Sequence, residues 1–345
     1  MRTKNISQIL FTLFFTVFCL IGYASQLAWY VTFSGESATP INNIYSLSVI
    51  NGSIQGEVLS NSLRLHELRN MIIGTDGKLY LLNSYKKDSR VLMFDKINPD
   101  GLTRNFLDNV VSTASAPGLI HPFFITFDEN GDLYVSVQDT NIVLSFYGPN
   151  TSTPWKTKPI SSYLSHLFPK GIFFSGTLVG ADTANIPPVT SVPSHLGGLT
   201  TEGKHSVRGI AFGSDQIWYV SDEAKDRINM YDAAGTYLGN ISDPNLKNPD
   251  ALFYNLKDDH IYIASPGTQR ILKYDLKKKT LKTFIHDAEH LGSVSGIAFG
   301  EDGNFYAGDR KKMSIYRYDA TGSHPTLFAG PFTDSPEGLL PIYNL

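Results

Sequence analysis

The chain is almost without cysteine, holding one in 345 residues, Cys19. That residue sits in an apolar run near the N-terminus, so no disulfide framework is available elsewhere. Stability must come from a buried core, which a chain of this length can build. Cys19 follows Phe18, where a lipoprotein signal would need a small residue. Basic charge is also in short supply. Residues 1–24 contain Arg2 and Lys4 and no acid, leaving 27 basic residues against 32 acidic ones in the remainder. The basic run Lys277 to Lys279 is short and set among turn residues, so no nucleic acid partner is expected. Helical periodicity is missing as well: no stretch keeps a 3.6-residue period over three turns, although Ser161 to Phe168 allows one short helix. No Gly-x-Ser-x-Gly elbow occurs, and without strand-to-helix junctions the glycines do not form a phosphate loop.

Long apolar runs are limited to Ile9 to Ile21, shorter than the roughly 20 residues that span a bilayer. Arg2 and Lys4 precede it and Gly22-Tyr23-Ala24 follows, the small-x-small pattern of a cleavage site. A signal peptide over 1–24 is expected, with a secreted or periplasmic mature protein over 25–345, no later membrane span and a monomeric state. An uncleaved N-terminal anchor is the alternative. Sequons at Asn51, Asn150 and Asn240 matter only in a eukaryotic secretory route.

What is present is a repeat of about forty residues. Its unit is Gly-Ile-x-Phe, a turn, an apolar strand with tyrosine, a polar turn, and Arg-Ile-x-x-Tyr-Asp. Three units keep it nearly intact: Gly209 through Tyr219 to Asp232, Ala251 through Tyr262 to Asp275, and Gly296 through Tyr306 to Asp319. Two are looser, Met71 through Tyr80 to Asp95 and Ile125 through Tyr134 to Tyr147. Turn chemistry such as Asp76-Gly77, Asn130-Gly131 and Asp302-Gly303 separates short apolar segments, so each unit reads as a four-stranded antiparallel sheet. Such sheets bury their faces by radial stacking, and the fold expected is an all-β propeller.

The column opening each first strand reads Asn70, Phe124, Gly209, Ala251, Gly296 and Gly338, with a double interval between Phe124 and Gly209. Pro169-Lys170-Gly171-Ile172-Phe173-Phe174 fills that gap with another entry signature, followed by Thr177 to Asp182. The segment over about 163–205 is therefore expected to be a distorted blade or an insertion. Seven blades are preferred and six are the alternative. The tail at Pro336 to Leu339 is a first strand without successors. Leu27 to Phe33, Ile44 to Ile50 and Ser53 to Leu59 are three strands without a first, so strands from both termini are expected to share one blade and close the ring.

In these recurring residues the chain resembles the NHL-repeat propellers and, more distantly, the gluconolactonase and regucalcin family, over nearly the whole length after residue 24. The resemblance implies the architecture; the families hold enzymes, sensors and scaffolds on one frame.

In propellers of this kind each first-strand entry faces the channel, so Arg69, Phe123, Lys170, Arg208, Asp250, Ser295 and Glu337 form the candidate ligand-binding ring. Three cations and two carboxylates in one channel are costly to desolvate unless paired or bound to something. Mutual pairing that holds the blades in register is the competing reading. The gluconolactonase likeness of Pro249-Asp250-Ala251 and Pro336-Glu337-Gly338 implies Asp250 and Glu337 as acidic metal ligands, with calcium or another divalent ion polarising a lactone carbonyl. Arg208 and Lys170 oppose a cation there. No cofactor is expected otherwise. His66, His121, His205 and His290 precede first strands at unequal offsets, which favours surface-loop histidines over a zinc site. Tyr30, Tyr80, Tyr134, Tyr219, Tyr262 and Tyr306 read as packing between blades. The segment from Ile186 to Leu196 is a candidate partner surface. The function these features favour is a non-catalytic module binding a small molecule or protein, with a metal-dependent lactone or ester hydrolase as the alternative.

Overall fold

The computed structural model describes residues 25–60, 63, 65–96, 103–116, 118–139, 142–156, 158, 172–174 and 207–343. The first strands in the chain are β1 (Gln26–Phe33), β2 (Tyr45–Leu47) and β3 (Ile54–Glu57). A second sheet runs β4 (Leu68–Ile73), β5 (Lys78–Asn83), β6 (Arg90–Lys96) and β7 (Phe106–Ser112), and a third β8 (Pro122–Phe127), β9 (Leu133–Val137), β10 (Ile142–Phe146) and β11 (Ile172–Phe174). The fourth holds β12 (Val207–Phe212), β13 (Ile217–Asp222), β14 (Arg227–Asp232) and β15 (Tyr237–Ser242). In the fifth are β16 (Leu252–Asn255), β17 (His260–Ser265), β18 (Arg270–Asp275) and β19 (Thr280–His286). The sixth comprises β20 (Val294–Phe299), β21 (Phe305–Asp309), β22 (Ser314–Tyr318) and β23 (Thr326–Ala329), and β24 (Pro336–Tyr343) returns to pair with β1. The molecule is a six-bladed propeller of four-stranded antiparallel blades.

Six blades replace the seven preferred from the sequence. Ile172-Phe173-Phe174 does not open a new blade; it pairs with β10, in the register Val143↔Phe174 and Leu144↔Ile172, as the outer strand of the third. The reason lies in the residues after β10, where 149–155 form turns and bends rather than a fourth strand. An apolar triplet further along supplies the missing edge, and its alternation looks like an inner strand because the period is the same. Thr177 to Asp182, the candidate helix Ser161 to Phe168 and the segment Ile186 to Leu196 lie outside the described residues.

The pairing expected of the terminal segments is present: β1 and β24 are antiparallel, with Tyr30 opposite Leu340 and Val31 opposite Leu339. Inner strands touch in the order β24, β4, β8, β12, β16, β20 and again β24. The glycine column follows from that closeness. A Cβ on Gly209 would stand 2.5 Å from the Asp250 carbonyl oxygen, and one on Gly296 would stand 2.6 Å from that of Glu337. Only hydrogen fits at these two positions, so β12 lies directly on the entry to β16 and β20 directly on β24.

The tyrosine column packs between blades, as its spacing predicts. All six are buried. Tyr134 meets Trp218 of the next blade at 4.1 Å between ring centroids, and Tyr306 meets Trp29 at 4.4 Å. Five donate their hydroxyls to an aspartate of the preceding turn, including Tyr219 to Asp215 at 2.8 Å and Tyr262 to Asp258 at 2.7 Å. The ring buries apolar area while its polar tip ties the turn to the strand.

Candidate functional site

The chain enters several inner strands through a left-handed residue two positions before the ring: Glu67 (φ 52°), His121 (φ 58°) and Asn248 (φ 49°) precede Arg69, Phe123 and Asp250. That conformation is easy for asparagine and costs more for glutamate and histidine. Hydroxyls of the second strands then fix the ring's backbone. Ser136 donates to the Arg208 carbonyl at 2.6 Å, Ser221 to that of Asp250 at 2.8 Å, and Thr32 to that of Arg69.

Arg69, Phe123, Arg208, Asp250 and Glu337 come together around one polar cavity of about 500 Å³ at the channel mouth. Ser295 lies deeper, where its hydroxyl donates to the Pro336 carbonyl at 2.5 Å and staples two inner strands. Lys170 lies outside the described residues.

The ring alone does not make the site. Arg310, absent from the sequence expectation, reaches in from the turn after β21. It donates from Nη1 to Asp250 Oδ2 at 2.7 Å, and from Nε and Nη2 to the two oxygens of Glu337, each at 2.7 Å. Glu337 also takes Arg69 Nη1 at 3.2 Å. Burial works against the charge on Glu337, but Arg310 and Arg69 outweigh it and hold its carboxyl below the ordinary range. Arg310 responds in the same sense: burial disfavours its charge, and Asp250 and Glu337 more than restore it. Such buried pairs are worth little net stability but are expensive to break.

A second circle of residues therefore faces the cavity, placed just after the second strands: Ser34 and Glu36 after β1, Gln138 after β9, Glu223 after β13 and Arg310 after β21. A blade's second strand ends where its first begins, because the two are antiparallel. The in-phase column following each second strand was the available signal.

Glu223 accepts Arg208 Nε at 2.8 Å and Nη2 at 2.6 Å through a single oxygen. Burial pushes the Glu223 carboxyl up; Arg208 opposes the shift and Asp250 adds to it. Phe123 presents its ring to two guanidinium groups, Arg208 at 4.7 Å and Arg310 at 5.8 Å. Cations over an aromatic face are held by its quadrupole, so Phe123 spaces the two like charges apart.

His121 corrects the expectation of a surface-loop histidine: it is buried and lines the cavity. Its Nδ1 lies 3.2 Å from Asp139 Oδ1, and its Nε2 lies 3.4 Å from Arg69 Nη2. His66 packs on Tyr85, and His290 pairs with Asp287 at 2.8 Å, so neither joins His121 at the cavity; His205 lies outside the described residues.

Asp250 and Glu337, the pair that the gluconolactonase likeness nominates for a divalent ion, hold a guanidinium between them instead. Among the described residues no group of three or more His, Cys, Asp or Glu side chains is placed to hold a metal ion. Below the mouth the channel narrows to a void of about 10 Å³ bordered by Arg69, Phe123, Asp250, Ser295, Arg310 and Glu337. Beyond the constriction an apolar chamber of about 280 Å³ takes residues from all six inner strands, among them Ile72, Phe127, Phe212, Phe253 and Leu340.

No family model matches the chain, and no curated protein matches it in sequence. Solved structures do match in shape. A protein of unknown function from Bacteroides caccae is 13% identical with a TM-score of 0.56, covering 92% of this chain and 99% of its own. The virginiamycin B lyase of Staphylococcus aureus is 14% identical with a TM-score of 0.51, covering 90% and 88%. A proposed 6-phosphogluconolactonase from Bacteroides uniformis is 12% identical with a TM-score of 0.56, covering 88% and 82%. At these identities the likeness is one of fold, and the fold these neighbours share with this chain is the β-propeller.

Proposed function

We propose that the protein is an exported, NHL-like propeller that binds a small molecule at the polar mouth of its channel, without catalysing a reaction on it. The observation that carries this reading is the 500 Å³ cavity lined by three guanidinium groups from different blades, two of them over the ring of Phe123. A concave site with few, fixed polar groups is the usual form of a small-molecule pocket. The ring is held by its own ion pairs and by hydroxyls on its backbone, so it is preorganised and loses little entropy on binding. Pairing of β1 with β24 supports a closed ring of blades as the rigid support. The apolar run and small-residue pattern before residue 25 support export.

The lactonase reading has less behind it. Arg310 already supplies the positive charge between Asp250 and Glu337, and its three short bonds would have to break before a cation could approach both carboxylates.

A thermal-shift screen of small metabolites on the purified protein tests the binding reading. Ligands of this site are expected to raise the melting temperature of the native protein and not that of Arg208→Ala. A screen in which no compound distinguishes the two proteins counts against the reading, and lactone turnover lost in Asp250→Ala would replace it.

A further inference from the structure

We infer that Glu36 occupies an anion subsite on Arg69, and that the ligand of the channel mouth is a small monocarboxylate whose carboxylate takes the place of Glu36. The inference rests on the binding reading above and adds the ligand's class.

Four carboxylates meet the three guanidinium groups of the cavity, and they are not equivalent. Glu337 and Asp250 have side chains only 5% and 6% exposed, and both are held by Arg310. Glu223 is partly covered and bound to Arg208. Glu36 stands apart: its side chain is 60% exposed, it comes from the loop after β1, and Arg69 Nη2 at 2.9 Å is its one side-chain partner among the described residues. An exposed single-contact pair of this kind is weak and easily exchanged.

Arg69 does not depend on Glu36 for its position. Its Nη1 is bound to Glu337, its Nη2 also faces His121 Nε2, and its side chain is 8% exposed. When Glu36 swings out, the guanidinium keeps its place with a donor directed into the cavity. The contact of Glu36 with Arg69 then suggests the ligand, and the charge count limits it. Among the described lining residues, Arg69, Arg208 and Arg310 are matched by Glu223, Asp250 and Glu337, so the cavity without Glu36 is neutral and one carboxylate on Arg69 reproduces the single excess negative charge that Glu36 itself brings. A dianion or polyanion would overfill it next to three fixed carboxylates. Met313 at the mouth is exposed and offers apolar surface to a compact body.

Calorimetric titration of the purified protein with sodium benzoate, benzamide and inorganic phosphate tests the inference. Benzoate is expected to bind, with benzamide and phosphate weaker. Glu36→Gln is expected to tighten benzoate by about two- to fivefold, the amount an exposed competing pair can withhold. Glu36→Asp, with a shorter reach to Arg69, should move affinity in the same direction. Arg69→Gln, placed on the Glu36→Gln background, should remove the gain. The inference is overturned if Glu36→Gln leaves benzoate affinity unchanged or weakens it, if benzamide gains equally, or if benzoate binds neither form. In each of those cases a neutral or zwitterionic ligand lost in Arg208→Ala would leave the binding reading standing, so the two fail separately.

Discussion

The two ends of the channel are made by the same inner strands and differ in chemistry. At the mouth, the entry residues Arg69, Arg208, Asp250 and Glu337 change charge from blade to blade. At the far end, further along the same strands, Ile72, Phe127, Phe212, Phe253 and Leu340 make a mainly apolar lining around about 280 Å³. Because the two sets of residues sit at different positions along the same strands, one set of backbones presents both characters without any change of fold. The lesson is that the deep positions share one apolar character across the blades, whereas the entries differ from blade to blade.

Strand β24 belongs to both ends, contributing Glu337 to the mouth and Leu340 to the apolar chamber. Removing residues 336–345 should therefore have the largest effect, abolishing cooperative unfolding in scanning calorimetry. A truncated protein that kept its native transition would show that β24 is dispensable, and with it the proposed closure of the ring.

Arg310→Ala leaves Asp250 and Glu337 buried without their shared cation, and should cost about 3–5 kcal/mol in denaturant unfolding. Phe253→Ala at the apolar end removes a partly buried ring and should cost less, about 2 kcal/mol. The reverse order would break the comparison, since it would make the apolar chamber the better-defined end.

The smallest effect should be a pH dependence confined to the mouth. The carboxyl of Glu337 is held below its ordinary value in the folded protein, so its contribution is present above the unfolded-state value and is lost as pH falls through the folded one. Stability should drop on acidification below the ordinary carboxylate range, and Glu337→Gln should lack that part of the slope while Phe253→Ala keeps it. Equal acid profiles for native and Glu337→Gln protein would show that the pair does not couple to folding.

Much of the fold was legible because it repeats. Gly209, Gly296 and Gly338 recur where inner strands touch, and Tyr219, Tyr262 and Tyr306 recur where a turn aspartate is within reach. The blade number was misread at Ile172-Phe173-Phe174, since an outer edge strand and an inner strand share the same two-residue period and differ only in the neighbour they pair with. The entry ring could be named from its phase in the repeat, and five of its residues line one cavity. Arg310 and His121 could not be placed that way. Arg310 lies in a turn rich in basic residues, where a solvated side chain is the ordinary expectation, and His121 precedes its strand at an offset unlike those of His205 and His290.

The sequence by itself determined the blade motif, its antiparallel strands and the residues that open each inner strand, because hydrophobic alternation and turn chemistry act over a few neighbouring residues. Only the tertiary structure decided which partner each charge found. Arg310 and Glu337 are 27 positions apart in the chain and meet at 2.7 Å, Arg69 and Glu337 are 268 apart and meet at 3.2 Å, and contacts of that kind are set by how whole blades stack around the channel.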